Sequence, residues 1–126
     1  MYTVRIIIDG RLSGLNEYTR ECRRNRYAGA KLKKENEQKV FYGIIRSNVG
    51  KSRITKPVYI TYKWYEPNKK RDLDNIAFAK KFVQDALVAN GILENDGWAN
   101  IVGFCDEFYV DKENPRVEVE IMEVEK

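Results

Sequence analysis

The segment Lys69-Lys70-Arg71-Asp72-Leu73-Asp74-Asn75 carries the strongest chemical signal in the chain. Three cations run directly into two carboxylates two residues apart. In an extended stretch the side chains at i and i+2 point the same way, so Asp72 and Asp74 could converge on one hard cation. Mg²⁺ takes such oxygen ligands, often one or two carboxylates with waters and substrate phosphate. A plainer use is helix capping, worth about 1 kcal/mol, with Asp72 or Asp74 as the N-cap. One cap needs one aspartate, which leaves the second without a role. Further on comes Glu94-Asn95-Asp96-Gly97-Trp98. Asp96 could be a third ligand brought back by a short loop, although Asp-Gly is also an ordinary turn pair. Trp98 reads as a core anchor, with a ring beside the substrate as the rarer use.

Composition narrows the chemistry. The 126 residues contain no histidine, which removes Ser-His-Asp and Cys-His catalysis and any His-ligated zinc or haem. The two cysteines, Cys22 and Cys105, lie far apart and match no metal-ligand spacing. They read as reduced thiols, so a cytoplasmic setting is expected. No apolar run approaches the roughly 18 residues of a membrane span, and the start MYTVRIIIDG lacks the pattern of a signal peptide. The length suits one domain over residues 1–126. An enzyme built from this chain would work with carboxylates, lysine, tyrosine or an oxygen-held metal.

Charge is unevenly distributed. Residues 1–71 hold 18 Lys+Arg and 6 Asp+Glu, whereas residues 72–126 hold 5 and 13. The net +4 thus hides a basic half that suits a polyanion and an acidic half beside it. Arg20, Arg23, Arg24, Arg26, Lys31, Lys33 and Lys34 cluster early, and Lys69, Lys70 and Arg71 lead into the aspartates. Phosphate contacts of this kind are sequence-independent and salt-sensitive. Tyr18, Tyr27 and Phe78 are candidates for stacking on unpaired bases, each more often a packing residue.

These residues must be held by elements readable from pattern. Residues 2–9 alternate as a strand, with Tyr2, Val4, Ile6 and Ile8 on one face. Residues 10–33, with Gly10, Gly14 and Gly29 and no clear period, read mostly as loop. Residues 34–48 put Val40, Phe41, Ile44 and Ile45 on one helical stripe. Residues 57–65 form a β-branched and aromatic strand. A second helix spans 74–89, ending at Asn90-Gly91. Its apolar arc is Ile76, Ala79, Phe82, Val83, Ala86 and Leu87; Asp74, Phe78, Lys81 and Asp85 lie at the edge. Lys81 could steady a phosphate or form an i,i+4 pair with Asp85. Residues 100–110 and 116–124 complete the chain as two strands, the last with one wet face at Glu118 and Glu120. The order β-α-β-α-β-β implies an α+β domain, a mixed sheet of about four strands with two helices packed on it.

Taken together, Arg71-Asp72-Leu73-Asp74-Asn75, Lys81 with Asp85-Ala86-Leu87, and the run from Gly91 to Asn95-Asp96 resemble the RusA family of Holliday junction resolvases. The resemblance implies a homodimeric, Mg²⁺-dependent endodeoxyribonuclease that resolves four-way DNA junctions by paired symmetrical nicks in recombination and repair. It implies Asp72, Asp74 and Asp96 as metal ligands and essential residues, Lys81 as the active-site lysine, and a phage or prophage setting. Three more residues separate the R-D-x-D-N core from the lysine than in the family's better-known members, nearly one helical turn or about 4.5 Å. Phe78 stands where an ungapped alignment puts that lysine. Two other functions share these features: a non-catalytic DNA-binding module, and a related metal-dependent nuclease acting on forks, flaps or RNA. Pure binding would gain nothing from three convergent carboxylates.

Overall fold

The computed structural model describes residues 2–125. β1 (Thr3–Asp9) is followed by α1 (Leu15–Arg24) and α2 (Arg26–Arg46). β2 (Val58–Glu66), α3 (Leu73–Ala77), α4 (Lys80–Ala89), β3 (Ile101–Val110) and β4 (Arg116–Glu123) complete the chain. The four strands form one sheet in the order β1-β4-β2-β3. β4 runs antiparallel to both β1 and β2, while β2 and β3 are parallel. The α+β expectation holds: a mixed four-stranded sheet carries helices on one face.

Period-2 alternation decides which face is covered. Val4, Ile6 and Ile8 of β1 register with Ile121, Val119 and Val117 of β4, which in turn face Ile60, Tyr62 and Trp64 of β2. All nine are buried. Above them lie Val40 and Ile44 of α2 and Phe82, Val83, Ala86 and Leu87 of α4. The predicted arc of the second helix, including Ile76 and Ala79, is buried throughout. On the other sheet face Glu118 and Glu120 are not simply wet. Glu118 pairs with Arg116 at 2.7 Å, and Glu120 with Arg5 at 2.7 Å and Lys63 at 3.4 Å. Tyr2, expected with the buried face of β1, is exposed.

Three differences from the pattern have physical causes. Residues 15–24 and 26–33 are helical, not loop. α1 buries no residue completely; its apolar line is only Leu15, Tyr18 and Cys22, of which Tyr18 packs against the core, too short a stripe to stand out beside the glycines. The glycines that argued for loop do other work. Gly14 is the N-cap of α1, and Gly29 lets the two helices meet, since a Cβ there would stand 2.7 Å from Cys22 Sγ. Asn25 makes the joint, its side chain accepting from the Ala28 N–H at 2.7 Å. Second, the α2 stripe is narrower than drawn. Phe41 and Ile45 are exposed, and the buried line runs Asn36, Val40, Gly43, Ile44. Third, the helix expected over 74–89 tightens at residues 78–79, where Lys81 N–H bonds Phe78 O and Phe82 N–H bonds Ala79 O, both at 3.0 Å. These i→i+3 bonds divide α3 from α4 without turning the chain away. The observed order is therefore β-α-α-β-α-α-β-β.

Candidate active site

β2 and β3 end together at Glu66 and Val110, and a crevice opens just beyond. Crevices outside the carboxyl ends of parallel strands are where open sheets commonly bind ligands. This one has a volume of about 630 Å³. Ile76, Phe108, Val110 and Leu73 give it apolar walls; Glu66, Asn68, Lys69, Arg71 and Asp72 give it polar ones.

Asp72 occupies the N-cap position of α3, but its side chain caps nothing. The capping use predicted from sequence is therefore not the one its carboxylate takes. Asp74 lies in the first turn of α3 and accepts the Asn75 N–H at 2.9 Å. Both aspartates are exposed, and neither is in a salt bridge among the described residues. The chain is not extended between them, because α3 begins at Leu73. Residues two apart on a helix lie on different faces, and only Asp72 lines the crevice.

Asp96 lies at the other end of the sheet. It sits in the loop that enters β3, and Val58 at the start of β2 pairs with Ile101 at the start of β3. The same loop is tied down there by the Ile54–Leu93 bridge and by Val58 N–H bonding Asn100 O at 2.8 Å. Between Asp96 and the crevice lies the nine-residue length of β2, roughly 26 Å at about 3.3 Å per residue. α3 and α4 occupy the path back. Among the described residues no group of three or more acidic or cysteine side chains is close enough to hold a metal ion. The donors are of the right kind for a hard cation, but one chain does not gather Asp72, Asp74 and Asp96.

Lys81 is exposed and takes the i,i+4 partner, its ammonium 3.3 Å from Asp85. Lys33 reaches the same carboxylate at 3.3 Å, and this hydrogen bond raises the Lys33 pKa above its ordinary value. Lys33 thereby ties α2 to α4. Lys80, which sequence reasoning passed over, pairs with Asp106 at 2.9 Å and lies 4.9 Å above the Phe104 ring. Asp106 also accepts Trp64 Nε1–H at 2.8 Å. Burial drives the neighbouring Tyr62 hydroxyl well above the ordinary tyrosine range, while Gln84 donates to it at 2.9 Å.

The motif's flanking residues are clamps. Arg71 donates to Leu12 O at 3.0 Å and to Glu17 at 2.5 Å. Asn75 Oδ1 accepts the Asn16 N–H at 2.9 Å, and a Cβ on Gly14 would stand 2.6 Å from that same oxygen. Only glycine fits against Asn75 here. Three further contacts fix the same loop. Arg11 pairs with the buried Glu66 at 2.6 Å. Asn36, 2% exposed, accepts the Ser13 N–H at 2.7 Å and donates to Ser13 Oγ at 3.0 Å. Asn36 had one sequence signal, a polar residue on the apolar line of α2. Tyr18 and Phe78 pack on each other at 5.4 Å and on Phe82 at 5.9 and 5.7 Å, so both are packing residues.

The basic candidates stand on helices, not on a loop. Arg20, Arg23, Arg24, Arg26, Lys31 and Lys34 are exposed along α1 and the first turns of α2, as are Lys69 and Lys70 beside the crevice. Arg24 is lightly paired with Glu21 at 3.5 Å. Tyr27 lies among them and is exposed. Trp98, expected in the core, is 98% exposed. The Asp-Gly turn before it explains why: Asn100 and Ile101 N–H both bond Gly97 O at 3.0 Å, which holds residue 98 out from the sheet.

The α+β domain thus carries exposed cations along α1 and the start of α2 and a separate crevice edged by Lys69 and Asp72. The chain belongs to the endodeoxyribonuclease RusA family, whose model matches residues 16–122. Its class is therefore that of a nuclease of the Holliday junction resolvases. No curated protein matches the chain. Among the described residues, no helix is long and apolar enough to cross a membrane.

Proposed function

We propose that the protein is a Mg²⁺-dependent, structure-selective endonuclease that resolves four-way DNA junctions by paired symmetrical nicks, acting as a homodimer in the cytoplasm. The observation that carries this reading is the pair of exposed carboxylates without salt-bridge partners at the start of α3, Asp72 at its N-cap and Asp74 in its first turn, directly after the exposed Lys69 and Lys70. A cation held there would activate water for in-line attack and offset charge on the phosphate. Lys69, Lys70 and the exposed arginines of α1 and α2 bind backbone phosphates without reading sequence. Lys81 would turn from Asp85 to the DNA.

Asp96 enters this reading through the dimer. It lies a sheet's length from Asp72 on its own chain, so it reaches the pair only from a second copy. A two-fold axis that brings the partner subunit's Asp96 to Asp72 necessarily does the reverse. Two matched sites result, which is what symmetrical cutting of a four-way junction needs. Carboxylates repel one another, so a bound cation would be needed to hold Asp72, Asp74 and the partner's Asp96 together.

The test is cleavage of four-way junction, fork and linear duplex with Mg²⁺ and with EDTA. Junction cutting with Mg²⁺ is expected, lost in EDTA and in Asp74→Asn while junction binding survives. Equal cutting by Asp74→Asn would refute the metal site. Preference for fork or linear duplex would refute the substrate.

A further inference from the structure

Two features of the surface are unexplained by the nuclease reading and complement each other. Trp98 is 98% exposed, although indole is among the costliest side chains to leave in water. It is not on a slack segment, because the turn closed on Gly97 O holds it. At the other end of the sheet the crevice beside Asp72 has apolar walls, Leu73, Ile76, Phe108 and Val110, of which Leu73 is 58% and Val110 50% exposed. Its volume of about 630 Å³ takes an indole with room to spare.

We infer that Trp98 is a dimer latch: in a two-fold dimer, the Trp98 of each subunit seats in the crevice beside Asp72 of the other. The inference rests on the proposed sharing of Asp96, which lies two residues before Trp98. Chain connectivity then brings the indole to the crevice that Asp72 lines. The contact is isologous, each subunit giving one ring and one crevice. The latch positions Asp96 by fixing the loop that carries it. Burial of a central tryptophan also matches what protein interfaces use as their anchors.

Sedimentation velocity over a concentration series, without DNA or divalent metal, tests the latch. The dimer dissociation constant is expected to rise by roughly 30-fold or more in Trp98→Ala, the size of one strong interface anchor. Leu73→Glu, at an exposed crevice position, should act alike without unfolding the chain. Wild-type fluorescence should shift to the blue as the dimer forms. Trp98→Phe, which keeps only the buried Trp64, should show no shift. The latch is overturned if the wild type stays monomeric or if both variants dimerise like it. It is also overturned if the blue shift appears only when a single-stranded oligonucleotide is added, which would make Trp98 a base-stacking residue. Trp98-dependent dimers that cut no nucleic acid would sink the nuclease reading and leave the latch standing. Aspartate-dependent cutting by dimers indifferent to Trp98 would do the opposite.

Discussion

Mixing two inactive variants should restore cutting. Metal-bridging carboxylates stand within a few ångströms of one another, since Mg²⁺–O distances are about 2.1 Å. Asp72 and Asp96 of one chain are separated by roughly the 26 Å length of a nine-residue strand. Asp72→Asn and Asp96→Asn dimers are therefore both dead, each site lacking one ligand. A mixed dimer is different. One of its sites combines the intact Asp72 of one chain with the intact Asp96 of the other, and its second site carries both lesions. Random exchange makes about half the dimers mixed, with one good site in two, so about a quarter of wild-type sites should be active. The product should be singly nicked junctions, because a mixed dimer cannot make the second cut. The assay is a denaturing gel with the two scissile strands labelled separately, after the variants have been unfolded and refolded together. Asp72→Asn mixed with Asp74→Asn is the control. Those lesions fall at the same end of the chain, and no pairing rebuilds a site. If the first mixture is as inactive as its parents, the shared site is wrong; if the control also recovers, the two ends are not the units of assembly.

Other outcomes follow from particular contacts. Neutralising Arg23, Arg24 and Arg26 should lower the slope of log affinity against log salt by about 2 to 3, at roughly 0.9 per phosphate contact. All three are exposed, so the unfolding midpoint should stay within experimental error; an unchanged slope would remove α1 and its joint from the DNA surface. Asn36→Ala strands the Ser13 N–H in a part-buried place, and should cost about 1–3 kcal/mol in denaturant unfolding. Phe82→Ala removes the ring on which Tyr18 and Phe78 both pack, at about 3–5 kcal/mol. Glu120 has its pKa lowered, first by the Arg5 hydrogen bond. Its contribution is present above the ordinary glutamate pKa and is lost as pH falls through the depressed value. Glu120→Gln should therefore lessen the loss of stability on acidification, measured as midpoint against pH.

The family and its candidate chemical groups were legible in the residue types. Absence of histidine, the R-D-L-D-N run after a basic stretch, and the later Asn95-Asp96 pointed to oxygen-held metal on a polyanion. The four strands and the α4 core face were legible too, since period 2 and period 3.6 each leave a mark wherever one face is buried. α1 was missed although Leu15, Tyr18 and Cys22 repeat at helical spacing, because that line is short and lies between Gly10, Gly14 and Gly29. Tertiary structure alone decided the rest. Arg71 and Asn75 turned out to clamp the loop before α1, contacts about 59 positions apart in sequence that no local pattern encodes. Asp72 and Asp96 looked like members of one cluster because only α3, α4 and a short loop separate them. The parallel pairing of β2 with β3 puts them at opposite ends instead, since a crossover between parallel strands must carry the chain the full length of the sheet. Trp98 likewise left the core because the turn at Gly97 directs it away. Residue types specified which groups could do the chemistry; strand direction specified which could meet within one chain.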